Sequence, residues 1–376
     1  MIKRDVLAGI LHSLKSLNKG IIIYGPRQAG KTTLVNEILP SLGKVLVVNG
    51  DSRGDWWEAL TSRELSKMRI LLQDYNAIFV DEAQRIPEIG LILKIILDNF
   101  TDIKVIATGS SSLNLASQVS EPLTGRIVTY KLYPISIGEL KNFLTVYEIG
   151  TQLEERLIFG SYPEIFSREG LNSKTQYLRD LLDEYLYKDI LDFKGIRNAD
   201  KIRDLLKLLA FQVGSQVSLS ELGANLGMSK ETVARYIDLL EKSYVIFSLR
   251  GLSRNLRKEV VKMPKIYFYD LGIRNAVMGN LNFIKNRNDV GQLWENFLIS
   301  ERMKKMEYRQ ELYSHYFWRL SSGAEIDLVE ERNGKLNGFE FKYSAKTAKS
   351  PKSWTTAYPG SSFMTVNKDN YLDFVS

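Results

Sequence analysis

The residues best suited to chemistry lie near the start of the chain, in Gly25-Pro26-Arg27-Gln28-Ala29-Gly30-Lys31-Thr32, a run of the form G-x-x-x-x-G-K-T. It follows Ile21-Ile22-Ile23-Tyr24 directly, an apolar β-branched run suited to a buried parallel strand. The glycines let the backbone curl so that successive N–H groups point at a β-phosphate, and a helix running on from Thr33 to Leu39 would turn its positive end to the same anion. In such a loop Lys31 reaches the β- and γ-phosphates and Thr32 ligates Mg²⁺. A glycine-rich turn without a ligand is the plainer alternative. Strand, spacing, Lys-Thr pair and helix together point instead to a cradle for ATP built from Gly25 through Thr33.

About fifty residues on, Ala77-Ile78-Phe79-Val80 reads as another buried strand and ends in Asp81-Glu82. Asp81 is placed to hold the metal through water, and Glu82 to orient and deprotonate the attacking water. The competing use of such a pair is to cap the next helix. A further strand, Lys104 to Ala107, runs into Thr108-Gly109-Ser110-Ser111, which sets small hydroxyls at the carboxyl edge of the sheet, where ligands of α/β folds bind. Ser110 or Ser111 is the candidate γ-phosphate sensor. Val45 to Val48 and Ile127 to Leu132 complete a five-stranded parallel sheet covered by helices, and Arg126 stands just before the last strand.

A second set of candidate residues lies near the other end. Glu295 sits on an amphipathic helix that begins at Gly291, while Asp327 and Glu340 fall on the two strands of a hairpin turned at Arg332-Asn333-Gly334-Lys335. Glu340 and Lys342 are two apart and project to one face. Ordinary cross-strand charge pairs are the alternative.

Between these sets, Leu178, Leu181, Leu182, Tyr185, Leu186 and Ile190 repeat at helical spacing and read as core packing. The segments around Ile202–Leu209, Ser218–Gly227 and Met228–Leu240 then carry a helix-turn-helix pattern. Gly227 suits a left-handed helix end, Ser229 suits a cap, and Val233, Ile237 and Leu240 form the inward stripe of the third helix. Its polar face offers Lys230 and Arg235 to a major groove, and Arg250, Arg254, Arg257 and Lys258 crowd the tip of a following wing. A protein-docking module with solvated charges is the competing reading.

The 376 residues exceed what one core usually supports, and the expected division is 1–150, 151–198, 199–284 and 285–376: an ATPase core, a helical lid and linker, a winged helix, and a small α/β domain. The absence of cysteine removes disulfides and thiolate chemistry. A net charge of +7 favours a polyanionic partner such as DNA, although it also serves solubility. With no apolar run long enough to cross a bilayer and no signal-peptide pattern, no membrane association and a cytoplasmic location are expected.

The set Gly25–Thr32, Ile78–Gln84, Thr108–Ser111 and Leu123-Thr124-Gly125-Arg126, with Tyr133-Pro134-Ile135-Ser136 and Gly160-Ser161-Tyr162-Pro163-Glu164, resembles a family of archaeal and bacterial AAA-type ATPases. Its members follow the ATPase core with helices, a winged helix and a restriction-endonuclease-like domain. The resemblance implies that Arg126 acts as an arginine finger on a neighbouring subunit's nucleotide, which requires a homo-oligomer; an arginine acting within its own chain is the alternative. Glu295, Asp327, Glu340 and Lys342 resemble the Mg²⁺ site of PD-(D/E)xK nucleases, with Ile326 where that pattern has proline. The leading expectation is an ATPase acting on DNA. An ATP-gated signalling or scaffold switch that binds a protein partner, and a nuclease licensed by ATP, are the alternatives.

Overall fold

The computed structural model describes residues 2–109, 123–183, 199–253 and 263–376, which fall into two compact units: Met1–Tyr133 with Lys242–Tyr244, and Pro134–Glu241 with Val245–Ser376. Ser110, Ser111, Tyr185, Leu186, Ile190, Arg254, Arg257 and Lys258 lie outside the described residues.

The first unit is built on five parallel strands: β1 (Gly20–Tyr24), β2 (Val45–Asn49), β3 (Ala77–Asp81), β4 (Lys104–Gly109) and β5 (Ile127–Lys131), in the order β2-β3-β4-β1-β5. β1 is buried at all five positions, as are the first four residues of β3, so both read as continuous apolar runs rather than alternating ones. Helix α1 (Val6–Ser16) packs on β1 and β5, and α2 (Lys31–Ile38) leaves the loop that follows β1. Between β3 and β4 runs α5 (Ile89–Asn99), after the shorter helices α3 (Trp56–Thr61) and α4 (Leu65–Leu72); it buries Ile89, Ile92, Leu93 and Ile96 on one stripe.

The second unit opens with α6 (Ile137–Leu140), α7 (Val146–Phe159) and α8 (Leu171–Asp180). Three helices follow, α9 (Ala199–Phe211), α10 (Leu219–Leu226) and α11 (Lys230–Lys242), and then the antiparallel strands β6 (Ile246–Gly251) and β7 (Lys265–Phe268). Ser218 caps α10 through the Glu221 amide, Gly227 ends it at φ 60°, and Ser229 caps α11 through the Thr232 amide. Next come α12 (Leu271–Met278), α13 (Val290–Tyr308), β8 (Ser314–Arg319), β9 (Glu325–Arg332), β10 (Lys335–Phe341), α14 (Lys352–Ala357), β11 (Ser362–Val366) and α15 (Tyr371–Val375). β6 pairs with β8, so a single six-stranded sheet, β11-β10-β9-β8-β6-β7, spans residues 246–366. The Ile135 amide hydrogen-bonds the Ser161 carbonyl within the second unit.

Buried charges tie this unit together. Asp270 is buried and accepts from the amides of Ser161 and Ile273; a side chain on Gly160 would place its Cβ 2.0 Å from the same carboxylate. Arg274, 2% exposed, donates to the Ala210 carbonyl and to Asp289, which also takes two bonds from Arg287. Burial pushes the Asp289 carboxyl up, but the bonds from Arg287 and Arg274 outweigh it and draw it down to about 2. Its stabilising contribution is therefore present above the ordinary carboxylate pKa and is lost as pH falls toward 2. Asp289→Asn leaves a buried guanidinium without its counter-charge, so denaturant unfolding at pH 7 should show a loss of about 3–5 kcal/mol, with the gap to wild type narrowing by about 2 kcal/mol as pH falls from 4 to 2 and below.

Candidate functional site

The loop after β1 is shaped by close approach. A Cβ on Gly25 would lie 2.0 Å from the Leu132 carbonyl oxygen, so no side chain fits there. Gly30, at φ 93°, turns the chain into α2 and has no side chain to cap its first turn, which leaves those amides for an anion. Lys31 is buried and donates from Nζ to the carbonyls of Gly25 and Pro26, 3.0 and 2.9 Å away. It is thus folded over the same loop whose amides would meet phosphate.

Asp81, at the end of β3, is held from two sides. Thr32 Oγ1 donates to its Oδ2 at 2.9 Å, and Thr108 Oγ1 donates to its Oδ1 from β4, the strand that lies between β1 and β3. A hydroxyl and a carboxylate in contact are the hard oxygen donors that suit Mg²⁺. Glu82 follows in the left-handed region at φ 48°; its amide donates to Thr108 Oγ1 at 3.2 Å and its carboxylate accepts from Gln84. Gln28, Thr32, Asp81 and Glu82 all retain solvent exposure.

Arg126 is placed elsewhere. The Gly20 amide donates to its carbonyl at 2.9 Å, which sets Arg126 level with the first residue of β1, at the amino edge of the sheet, whereas the nucleotide loop leaves the carboxyl edge. Five strand residues, roughly 16 Å, separate the two. Its guanidinium is paired with Asp98, Nε to Oδ1 at 2.6 Å and Nη2 to Oδ2 at 3.2 Å. Arg126 thus stands at the amino edge with its guanidinium held by Asp98.

In the second unit, the register that pairs Phe339 with Leu328 sets Glu340 across from Asp327. Directly opposed residues share a face of the sheet. Asp327 accepts from the Phe341 amide at 2.8 Å, and Lys342 Nζ donates to Glu340 at 2.8 Å. Burial first, and then the charges of Glu295 and Glu340, push the Asp327 carboxyl well above its ordinary range. All four expected residues thus come to one neighbourhood. They do not converge on one point: among the described residues, no three His, Asp or Glu side chains are placed to share a metal ion. Glu295 turns instead to Lys265 and Tyr267, neither of which the sequence singled out. Lys230 and Arg235 on α11 and Arg250 on β6 are exposed.

Residues 17–141 match the AAA domain family. In motifs and strand order those residues are similar to an AAA-type P-loop domain. Beyond it, residues 150–283 and 290–373 each match a domain of unknown function, DUF8612 and DUF4143. An uncharacterized protein of Mycobacterium tuberculosis is 28% identical over 345 residues, 90% of this chain and 74% of that one. One from Methanocaldococcus jannaschii is 26% identical over 331 residues, 83% and 72% of the two chains. The fold is similar to that of the Walker-type ATPase of Pyrococcus abyssi, with a TM-score of 0.50 and 14% identity over 74% of this chain and 96% of that one. Among the described residues, no helix is long and apolar enough to cross a membrane.

Two further residues position the site: Arg4, which carried no motif signal, and Thr108, which stood in the Thr108–Ser111 run without a role of its own. Arg4 is 5% exposed and spans from the Ala29 carbonyl (2.7 Å) to the Tyr133 carbonyl (2.6 Å), bracing the P-loop against the segment after β5. Thr108 was visible only as one of several small hydroxyls; it is the residue that fixes Asp81 and the Glu82 amide together. Thr108→Val removes a hydrogen bond to a charged group, about 1.5–3 kcal/mol, so Mg²⁺-dependent nucleotide turnover should drop by roughly ten- to a hundredfold with the melting temperature little changed. Steady-state kinetics alongside a thermal melt would check this.

Proposed function

We propose that the chain binds and hydrolyses ATP with Mg²⁺ in its AAA-type domain, and acts on DNA through a winged helix formed by α9–α11, β6 and β7. The observation that carries the first part is the shared Asp81 carboxylate, held by Thr32 of the P-loop and by Thr108 of β4 with Glu82 next to it. The P-loop amides and Lys31 bind and orient the phosphates, and Thr32 and Asp81 are the residues to hold Mg²⁺. Bound Mg²⁺ would neutralise charge on the β- and γ-phosphates. Glu82 receives the proton of the attacking water, and its left-handed backbone together with Gln84 fixes where that carboxylate points. Arg126 serves a nucleotide only in a second copy of the chain, which makes the active species a homo-oligomer.

Lys31→Ala should abolish tight nucleotide binding, whereas Glu82→Gln should keep ATP bound and stop turnover. In the same series Arg126→Ala should lower turnover with ATP affinity unchanged. Equilibrium binding of a fluorescent ATP analogue and phosphate-release kinetics separate these outcomes, and wild-type turnover by Glu82→Gln would refute the assignment.

What supports the DNA reading is the exposure of Lys230 and Arg235 on α11 and of Arg250 on β6, on a chain of net charge +7. Neutralising the three should weaken duplex binding alike for all sequences and flatten the plot of log affinity against log salt by about one unit for each phosphate that no longer meets a cationic side chain. An unchanged slope would favour a protein partner. For the C-terminal segment we propose a PD-(D/E)xK-like arrangement, supported by Glu295 on α13, Asp327 on β9, and Glu340 and Lys342 at the end of β10. Mg²⁺-dependent nicking of plasmid DNA, abolished in Asp327→Ala, is the test of that part.

A further inference from the structure

We infer that Lys265 is a built-in cation that fills the C-terminal carboxylate site, so that Glu295, Asp327 and their neighbours take up a divalent metal only when this lysine is withdrawn. The inference rests on the proposal that Glu295, Asp327 and Glu340 form a cation-binding set.

Lys265 opens β7, far in sequence from the acids, and its side chain is 1% exposed. Its Nζ lies 2.7 Å from Glu325 Oε1 and 3.2 Å from Glu295 Oε1, over the face of the Phe317 ring at 5.4 Å. Tyr267, two residues along the same strand and buried, donates from its hydroxyl to Glu295 at 2.6 Å. A buried ammonium ion is held charged only by anions around it. Burial works against the charge on Lys265, but Glu295, Glu325 and Asp327 outweigh it and keep the ammonium above its ordinary range.

The site is closed from the side that delivers the lysine. Gly214, at φ 76°, brings the backbone so near that a Cβ there would lie 3.2 Å from the Glu295 carboxylate. The Gly214 and Val217 amides bond the carbonyls of Ile266 and Pro264 at 3.2 and 2.8 Å, and Gln216 bridges Lys265 itself. β7 is thus clamped to the segment leading into the helix-turn-helix. Glu295 is turned toward Lys265, and Glu340 toward Lys342 at 2.8 Å. This explains why the three acids share a neighbourhood without converging on one point.

The test is Mn²⁺ binding to the nucleotide-free full chain, followed by the decline of the free-ion electron paramagnetic resonance signal. Lys265→Met and Lys265→Gln should each gain a Mn²⁺ site at least about tenfold tighter than wild type offers, because a buried like charge is gone. Adding Asp327→Asn should abolish the gain. Lys265→Arg, which keeps the positive charge, should show no gain; if the Lys265 variants do not fold, the wild type is the readout, since it should take up no Mn²⁺ that Asp327→Asn abolishes. Wild-type protein that already binds Mn²⁺ in an Asp327-dependent way as tightly as the variants would overturn the inference, as would folded variants with no gain. Plasmid nicking separates the two readings. A variant that binds Mn²⁺ through Asp327 and leaves DNA intact sinks the nuclease reading and keeps the role of Lys265. Wild type that binds metal through Asp327 and nicks DNA does the reverse.

Discussion

The Asp81 carboxylate accepts from Thr32 on one side and Thr108 on the other, and through it three parallel strands that are distant in sequence are brought to one point. Thr32 begins the helix after β1, Asp81 ends β3, and Thr108 lies on β4 between them. β4 intervenes between β1 and β3, so the P-loop and the Asp81-Glu82 pair leave the same carboxyl edge from strands that are not neighbours. The same constraint makes Gly25 obligatory, since the chain leaving β1 must pass against the Leu132 carbonyl before it can curl. Arg4 then holds that curl in place from the other side.

The second unit is governed by the same physical requirement in another form, that a carboxylate removed from water must be met by donors. Within the stretches Tyr133–Ser136 and Gly160–Glu164, Ser136, Gly160 and Ser161 meet it. Ser136 and Glu139 form a reciprocal cap at the start of α6, and Glu301, buried with Lys304, accepts from the Ile137 amide at 2.6 Å. Gly160 and Ser161 make room for Asp270 and donate to it. Asn275 satisfies the carbonyls of Leu157 and Ile158 at the end of α7. Removing one member of such a set leaves a buried group uncompensated, so these residues are fixed by burial rather than by contact with a ligand.

The two acidic clusters differ in how their charge is met. At Asp81 the hydrogen-bond partners are the hydroxyls of Thr32 and Thr108. Around Glu295, Lys265 brings the balancing charge within the fold, on a strand that belongs to the same sheet as Asp327 and Glu340. A hairpin of acids read from spacing alone therefore gives the donor set and not its occupant.

The sequence alone determined what depends on local pattern. The apolar β-branched runs, the G-x-x-x-x-G-K-T spacing and the Asp-Glu after a buried strand specified a five-stranded parallel sheet and the residues at its carboxyl edge, and Gly227 and Ser229 specified the helix ends around the turn before α11. Alternation on the hairpin also set Asp327 and Glu340 on one face. Tertiary structure alone decided which remote side chains meet. Nothing local distinguishes Arg4, Thr108, Lys265 or Asp270 from other residues of their kind; each acquires its role from a partner between 25 and 129 positions away, through pairings that only the assembled sheets bring within hydrogen-bond reach. The same holds for the place of Arg126 at the amino edge of the sheet and for the sheet that crosses residue 284, because strand order is settled by packing faces and crossover connections that no single segment encodes.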